Sequence, residues 1–360
     1  MNASLEVEYW VVDDDGDLVS PGPLLDRSDR IDPEFVEPMI ELKTTPCATM
    51  DELRTEFRAL LSDVVDAAHE RGKRLVPLST PIHAAPAELP YRDKRGTALQ
   101  RRIVGPTFDD ARVCAGTHLH FERADDAGRV ADQLNALTAI DPAFALVSSS
   151  SHYRGEPIVE CARPYLYRRS CYGPCPEQGQ LWPYVDSVGE WERRLETAYD
   201  RFRNRALEHG VDPDVFDEEF DPYDAVWTPV RLREEMPTVE WRSPDVALPS
   251  QIFDLAETVR GIVDRAATRG VTDAGSNSSG GLTLPEFATV ERVTDAAIDD
   301  GIGDEGVQRY LRRFGFTPTA YEPLAERLPD SRVTKRDAKT LRLEAAGQLE
   351  REVGLGRARA

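Results

Sequence analysis

Four short segments carry the residue types that do chemistry. Glu6 and Glu8 lie two apart in Leu5-Glu6-Val7-Glu8-Tyr9 and share one face of a strand, with Leu5, Val7 and Tyr9 on the other. Glu41 sits in Met39-Ile40-Glu41-Leu42, where a buried carboxylate needs a partner or a metal. His118 and His120, two of only six histidines, share a face of Ala115-Gly116-Thr117-His118-Leu119-His120-Phe121, and imidazole is the commonest metal ligand. Glu240 and Arg242 share a face of Thr238-Val239-Glu240-Trp241-Arg242-Ser243. They make either a structural salt bridge or an acid ligand beside a phosphate clamp, for which arginine has the fork geometry. Each segment alone is compatible with a wet strand face or a plain ion pair; the same device on four strands points to one functional sheet face. Oxygen ligands in that number suit Mg²⁺ with phosphates better than zinc, which prefers nitrogen and sulfur. No G-x-x-x-x-G-K-[ST] occurs, and the Gly/Ser stretch from Ala274 to Gly281 lacks its lysine. Any ATP would therefore be held by carboxylate-bound metals and arginines, without a P-loop.

These side chains need strands to position them. Alternation and turn residues predict strands over Leu5 to Asp13, Val36 to Thr45, Arg74 to Ser79, Cys114 to Glu122, Ala225 to Leu232 and Thr238 to Ser243. Thr49, with Glu52 three residues on, starts a helix through a capping box, and Gly72 ends it. Further helices are expected over Asp125 to Ile140, the apolar run Pro142 to Ser150, Val188 to His209, Pro249 to Thr268, Leu284 to Asp300, Asp304 to Phe314 and Arg336 to Val353. Asp273 to Gly281 reads as a loop between helices. Gly155 to Pro183, rich in Pro, Gly, Arg and Tyr without a clean period, reads as a long functional loop or lid. Strands in runs separated by helices, without regular βαβ alternation, give an α+β class.

The chain has 360 residues, with 65 Asp+Glu against 44 Lys+Arg and a net charge of −21, which makes nucleic acid and anionic membrane poor partners. A hydrophobic content of 40% is too high for an acidic disordered chain. The lysines are Lys43, Lys73, Lys94, Lys335 and Lys339, and the other basic residues are arginines. Surplus carboxylate with scarce lysine suits a salt-rich cytosol, where screening quenches self-repulsion. Met1 to Trp10 lacks the basic start of a signal peptide, and no apolar run approaches the ~20 residues of a membrane span, so a cytoplasmic protein is expected. Five cysteines without a C-x-x-C pair argue against a disulfide framework or zinc ribbon, leaving Cys171 and Cys175 as ordinary thiols.

The chain resembles the glutamate–cysteine ligases and the related bacterial carboxylate–amine ligases. Their G-x-E-x-E strand corresponds to Ser4-Leu5-Glu6-Val7-Glu8, and E-[LFV]-x-T to Glu41-Leu42-Lys43-Thr44. Their G-x-H-x-[HN] strand corresponds to Gly116-Thr117-His118-Leu119-His120, and T-x-E-x-R-x-x-D to Thr238 through Asp245. Ser4 replaces the usual glycine. Trp227 and Arg231 match a W-D-x-R segment in which Pro229 stands for the Asp, and the serine-rich stretch Ser148 to Arg163 has Cys161 for a serine and keeps Arg163.

The resemblance implies a glutamine-synthetase-like fold, a strongly curved antiparallel sheet forming a funnel with helices outside. It implies one catalytic unit over residues 1–360, with motifs in 4–245 and a helical C-terminal part over 249–354. It assigns Glu6, Glu8, Glu41 and Glu240 to Mg²⁺, places His118 at the metal–phosphate region, and gives Arg242 and Arg231 the transferring phosphoryl group. His120, Arg163 and Trp227 are assigned to cofactor binding. The implied reaction joins L-glutamate to L-cysteine with ATP; alternatives are another amine acceptor, a divalent-metal hydrolase, or a non-catalytic binding relative. Oligomeric state is not legible.

Overall fold

The computed structural model describes residues 1–273 and 280–354, so most of the loop expected over Asp273 to Gly281 lies outside the described residues. Its main element is a seven-stranded sheet: β1 (Ala3–Asp13), β2 (Ile31–Pro33), β3 (Met39–Lys43), β4 (Lys73–Val76), β5 (Thr117–Glu122), β6 (Val230–Leu232) and β7 (Thr238–Trp241). The order is β2-β3-β1-β5-β7-β6, with β4 also on β1, and every pairing is antiparallel. The architecture is thus mixed helix and antiparallel sheet.

β1 is the centre because it is apolar enough to be covered on both faces. Tyr9, Trp10, Val11 and Val12 are fully buried, and in β1 only Glu6 and Asp13 retain appreciable exposure. β3 pairs along Glu6–Trp10 on one edge; β5 takes Ala3–Val7 and β4 takes Trp10–Asp13 on the other. Leu5, Val7 and Tyr9 join one core with the apolar stripes of the helices Met50–His69 and Pro249–Arg269, whose Phe57 and Phe253 meet edge to face at 5.9 Å. The alternate face carries Glu6 and Glu8 at one end and buried Trp10 and Val12 at the other. The first of these helices begins as the sequence predicts, Thr49 and Glu52 forming a reciprocal capping box.

Several expectations change. The strand expected from Ala225 starts only at Val230, because Asp221 caps a short helix, Pro222–Ala225, accepting from the amides of Tyr223 (2.8 Å) and Asp224 (3.0 Å). The strand expected from Val36 starts at Met39, and the apolar run after Pro142 is a 3₁₀ helix, Asp141–Val147. Gly155 to Pro183 is not one long irregular loop. It contains the helix Ala162–Tyr165 continuing into a wider π turn, Leu166–Cys171, and buries Arg163, Leu166, Tyr167, Arg168, Cys171 and Tyr172. The C-terminal part is not wholly helical, since Val271–Asp273 pairs in parallel with Leu282–Leu284. The helices Arg95–Val104 and Pro213–Glu219 lie outside the expected elements, although Asp212 caps the second and Pro213 opens it. All five cysteines are buried free thiols. Among the described residues no helix is long and apolar enough to cross a membrane.

Candidate active site

Antiparallel register converts the four motifs into neighbouring rows. Glu6 stands opposite Lys43 on β3 and His118 on β5, and Glu8 opposite Glu41. His120 stands opposite Glu240 on β7, which stands opposite Arg231 on β6. Directly opposed residues have Cβ atoms ~5 Å apart, so the side chains must interact. Glu8, Glu41, His118, His120, Arg231 and Glu240 are buried, Glu240 at 0% exposure.

His118 is the hub. Its Nδ1 lies 3.2 Å from Glu6 Oε2, 3.8 Å from Glu240 Oε1 and 3.9 Å from Glu41 Oε1, and its Nε2 lies 3.8 Å from Glu8 Oε1. His120 Nε2 lies 3.4 Å from Glu6 Oε2 and 3.9 Å from Glu240 Oε1, while its Nδ1 is 3.2 Å from Thr238 Oγ1. Nε2 of both imidazoles is buried without a hydrogen-bond partner. Such orphaned atoms are rare in folded proteins and call for a ligand or an ion.

Two arginines hold Glu240. Its Oε2 accepts from Arg231 Nε and its Oε1 from Arg242 Nη1, both at 2.6 Å. The Arg242 guanidinium lies 5.5 Å over the Trp227 ring, and that ring stacks on Tyr167 at 4.3 Å. Arg163 donates from Nη1 to the carbonyls of Arg242 (2.8 Å) and Ser243 (3.2 Å), and its guanidinium fills the space that a Cβ on Gly116 would occupy. The Gly116 amide, freed for close approach, donates to Glu8 Oε2 at 2.5 Å. All ten residues singled out by sequence therefore belong to one connected cluster.

The charges there are unbalanced toward negative. Burial, with repulsion from Glu34 and Glu6, pushes Glu41 up to about 8 against the pull of Lys43. Burial raises Glu8 to about 7 despite Arg163. Burial alone would raise Glu6 too, but its hydrogen bond with His118 and the nearby His120 imidazole hold it well below the usual carboxylate range. Glu240 likewise resists its burial and stays ionised because Arg231 and Arg242 flank it. His118 is pushed down to about 3 by burial and Arg242, so it is neutral and free to act as a ligand. A site whose acids are driven toward protonation is one that a cation would relieve.

Three sets of side chains place ligand atoms within 4.8 Å of one another: Glu6, Glu41 and His118; Glu6, His120 and Glu240; and Glu8, Glu34 and Glu41. Oxygen dominates each set, and the two orphaned imidazole nitrogens lie beside them, so the residues fit Mg²⁺ or Mn²⁺. Glu34 was not among the residues singled out by sequence. It follows Pro33 outside any alternating run, and only the pairing of β2 with β3 brings it in. Lys43 was likewise seen only as a motif position, yet its Nζ contacts Glu41 Oε2 at 2.9 Å and Asp32 Oδ2 at 2.8 Å.

Asp245 supports the cluster from behind. Its backbone bridges Gly116, and its Oδ2 accepts from the Ser149 amide at 2.9 Å. Burial raises its pKa to about 6, opposed by the Ser149 amide and Arg163. A folded pKa above the unfolded value means that stability is fully present below about pH 4 and is lost as pH rises through about 6, by ~3 kcal/mol in all. Asp245→Asn is expected to flatten the fall in melting temperature between those pH values; an unchanged slope would assign the pH dependence to other groups.

The sequence profile described as "Glutamate-cysteine ligase family 2 (GCS2)" matches residues 6–354. The chain belongs to that family. The resemblance carried by the four motifs thus extends through the C-terminal third. A Ruegeria pomeroyi protein called "Putative glutamate–cysteine ligase 2" is 28% identical over 253 residues, 67% of this chain and 59% of its own length. A Rhodococcus jostii protein, "Putative glutamate–cysteine ligase 2-1", is 25% identical over 296 residues, 79% of this chain and 71% of its own. The chain thus spans less than two thirds of the Ruegeria protein.

Among solved structures, the family member aligns with a glutamate–cysteine ligase from Francisella tularensis in complex with AMP, at a TM-score of 0.57 and 14% identity. That alignment covers 99% of this chain and 82% of the other. A bifunctional glutathione synthetase from Pasteurella multocida aligns at a TM-score of 0.55 and 17% identity, covering 98% of this chain and 52% of that one. At these identities the likeness is one of fold.

Proposed function

We propose that this family member is an ATP-dependent carboxylate–amine ligase joining the γ-carboxylate of L-glutamate to the amine of L-cysteine. The observation that carries the reading is the acid face itself: four motif carboxylates, two histidines and two arginines on one sheet, in a family member without a P-loop. In this reading residues 1–360 form one catalytic unit, and the sheet curves into a funnel with nucleotide at one end and amino acid at the other.

The γ-carboxylate oxygen attacks the ATP γ-phosphorus, the bond to the β-phosphate oxygen breaks, and ADP leaves. The cysteine amine then attacks the acyl carbon, loses a proton, and phosphate departs. Glu6, Glu8, Glu41 and Glu240 would hold Mg²⁺, with Glu34, His118 and His120 beside them; bound Mg²⁺ supplies neutralisation of phosphate charge. Arg242, braced by Glu240 and Trp227, is placed to steady the in-line phosphoryl group. Arg231 keeps Glu240 ionised and fixed. Arg163 with Tyr167 and Trp227 forms a wall for the nucleotide or amino acid, so water exclusion rests on this packed segment.

The decisive test is ADP release with Mg²⁺ and glutamate across candidate amines, run in high KCl to suit the acidic surface. Cysteine is expected to stimulate release at least about tenfold over water, a discrimination of ~1.4 kcal/mol. Stronger stimulation by another amine would retain the reaction class and replace the acceptor. Amide hydrolysis without ATP, or nucleotide binding without turnover of any amine, would overturn the proposal.

A further inference from the structure

The acid face holds a lysine directly among its carboxylates. Lys43 stands opposite Glu6 across the β1–β3 pair and two residues from Glu41, so it shares their face. Its Nζ lies 2.9 Å from Glu41 Oε2, 2.8 Å from Asp32 Oδ2 and 3.9 Å from Glu6 Oε1. Asp32 reaches this point because β2 places it opposite Glu41.

The two site carboxylates are divided by oxygen. The Oε2 of Glu41 and Oε1 of Glu6 face Lys43. The Oε1 of Glu41 and Oε2 of Glu6 face His118 Nδ1, at 3.9 and 3.2 Å. The face therefore has an inner corner around His118, whose Nε2 has no hydrogen-bond partner, and an outer corner where three acids converge on an ammonium. An ammonium offers three donors and one charge but no open coordination position. It neutralises acids as an ion would while excluding an ion from the same place.

We infer that Lys43 is a tethered cation that closes the outer corner to divalent ions and so sets how many the chain binds. This rests on the proposed metal-binding role of the acid face. Remaining divalent ions are confined to the inner sets built on His118, His120 and Glu34.

The test is Mn²⁺ binding to the nucleotide-free protein, read by the electron paramagnetic resonance signal of free Mn²⁺ and needing no turnover. Lys43→Ala is expected to bind a further Mn²⁺ ion, or to bind the existing ones about tenfold more tightly, because a like charge has been removed. Asp32→Asn in the Lys43→Ala background should abolish the gain, and Lys43→Arg should behave as the unaltered protein. Circular dichroism melts check that each variant is folded, as a partly exposed lysine allows. Unchanged Mn²⁺ number and affinity in Lys43→Ala would overturn the inference, showing that the lysine swings aside when metal arrives. Weaker binding would overturn it too, making Lys43 a scaffold for the acids. If neither protein binds Mn²⁺, the metal reading of the whole face fails and takes this inference with it.

Discussion

Glu240→Gln is expected to lower ADP release by about 10³-fold and to destabilise the fold by about 3–5 kcal/mol. The carboxylate is wholly buried, and each oxygen is held at 2.6 Å by a different guanidinium. A neutral amide leaves Arg231 and Arg242 facing each other with no intervening charge, and replaces one acceptor oxygen by a donor. The motif pattern alone would have it as a ligand whose loss spares the fold. The two arginines change that expectation, because desolvated positive charge is left behind. Denaturant unfolding and ADP release should be measured together. Adding Arg231→Gln should recover part of the stability but none of the turnover. Turnover within tenfold of the unaltered protein would remove Glu240 from the chemistry.

Gly116→Ala is the second large effect. The new methyl would fall on the Arg163 guanidinium, which is itself buried and fixed by the carbonyls of Arg242 and Ser243. Either Arg163 gives up those bonds or β5 moves away from β1, breaking the Gly116 amide bond to Glu8. Overpacking of this kind costs ~1–3 kcal/mol. Because a shift of about 1 Å suffices to misalign reacting groups, ADP release should fall about 10²-fold. Gly303→Ala is the internal control, since a Cβ there meets nothing within 4 Å. Equal behaviour of the two variants would show that the close approach of Arg163 to Gly116 is not required.

What could be read in advance follows from period. Glu6, Glu8, Glu41, His118, His120 and Glu240 alternate with apolar residues, and a two-residue repeat fixes which face a side chain takes. It does not reveal which strands are adjacent, so the pairing of Glu8 with Glu41, or of His120 with Glu240, needed the register. Glu34 and Asp32 were invisible for the opposite reason. Asp32 lies in a strand of three residues and Glu34 just beyond its end, too short a stretch for any period, and it matters only through the strand's partner. Arg163 was legible by resemblance, but its helix was not. A π turn widens the spacing of buried positions, so Leu166, Tyr167 and Cys171 follow neither helical nor strand repeat, and a packed helical segment reads as an irregular loop.

The central position of β1 has a consequence for the birth of the protein. Glu6 and Glu8 are made before the rest of the acid face, yet His118 lies 112 residues after Glu6, and Thr238 lies 118 residues after the His120 it contacts. β5 reaches β1 late, and β7 and β6 later still, so the acid face closes only after two thirds of the chain exists. Such non-local pairing makes for slow folding. Until then Tyr-Trp-Val-Val of β1 presents an apolar strand with open edges, a hazard for association between nascent chains. The nearby run Asp13-Asp14-Asp15, at the end of that strand, supplies charge where it would repel a second copy.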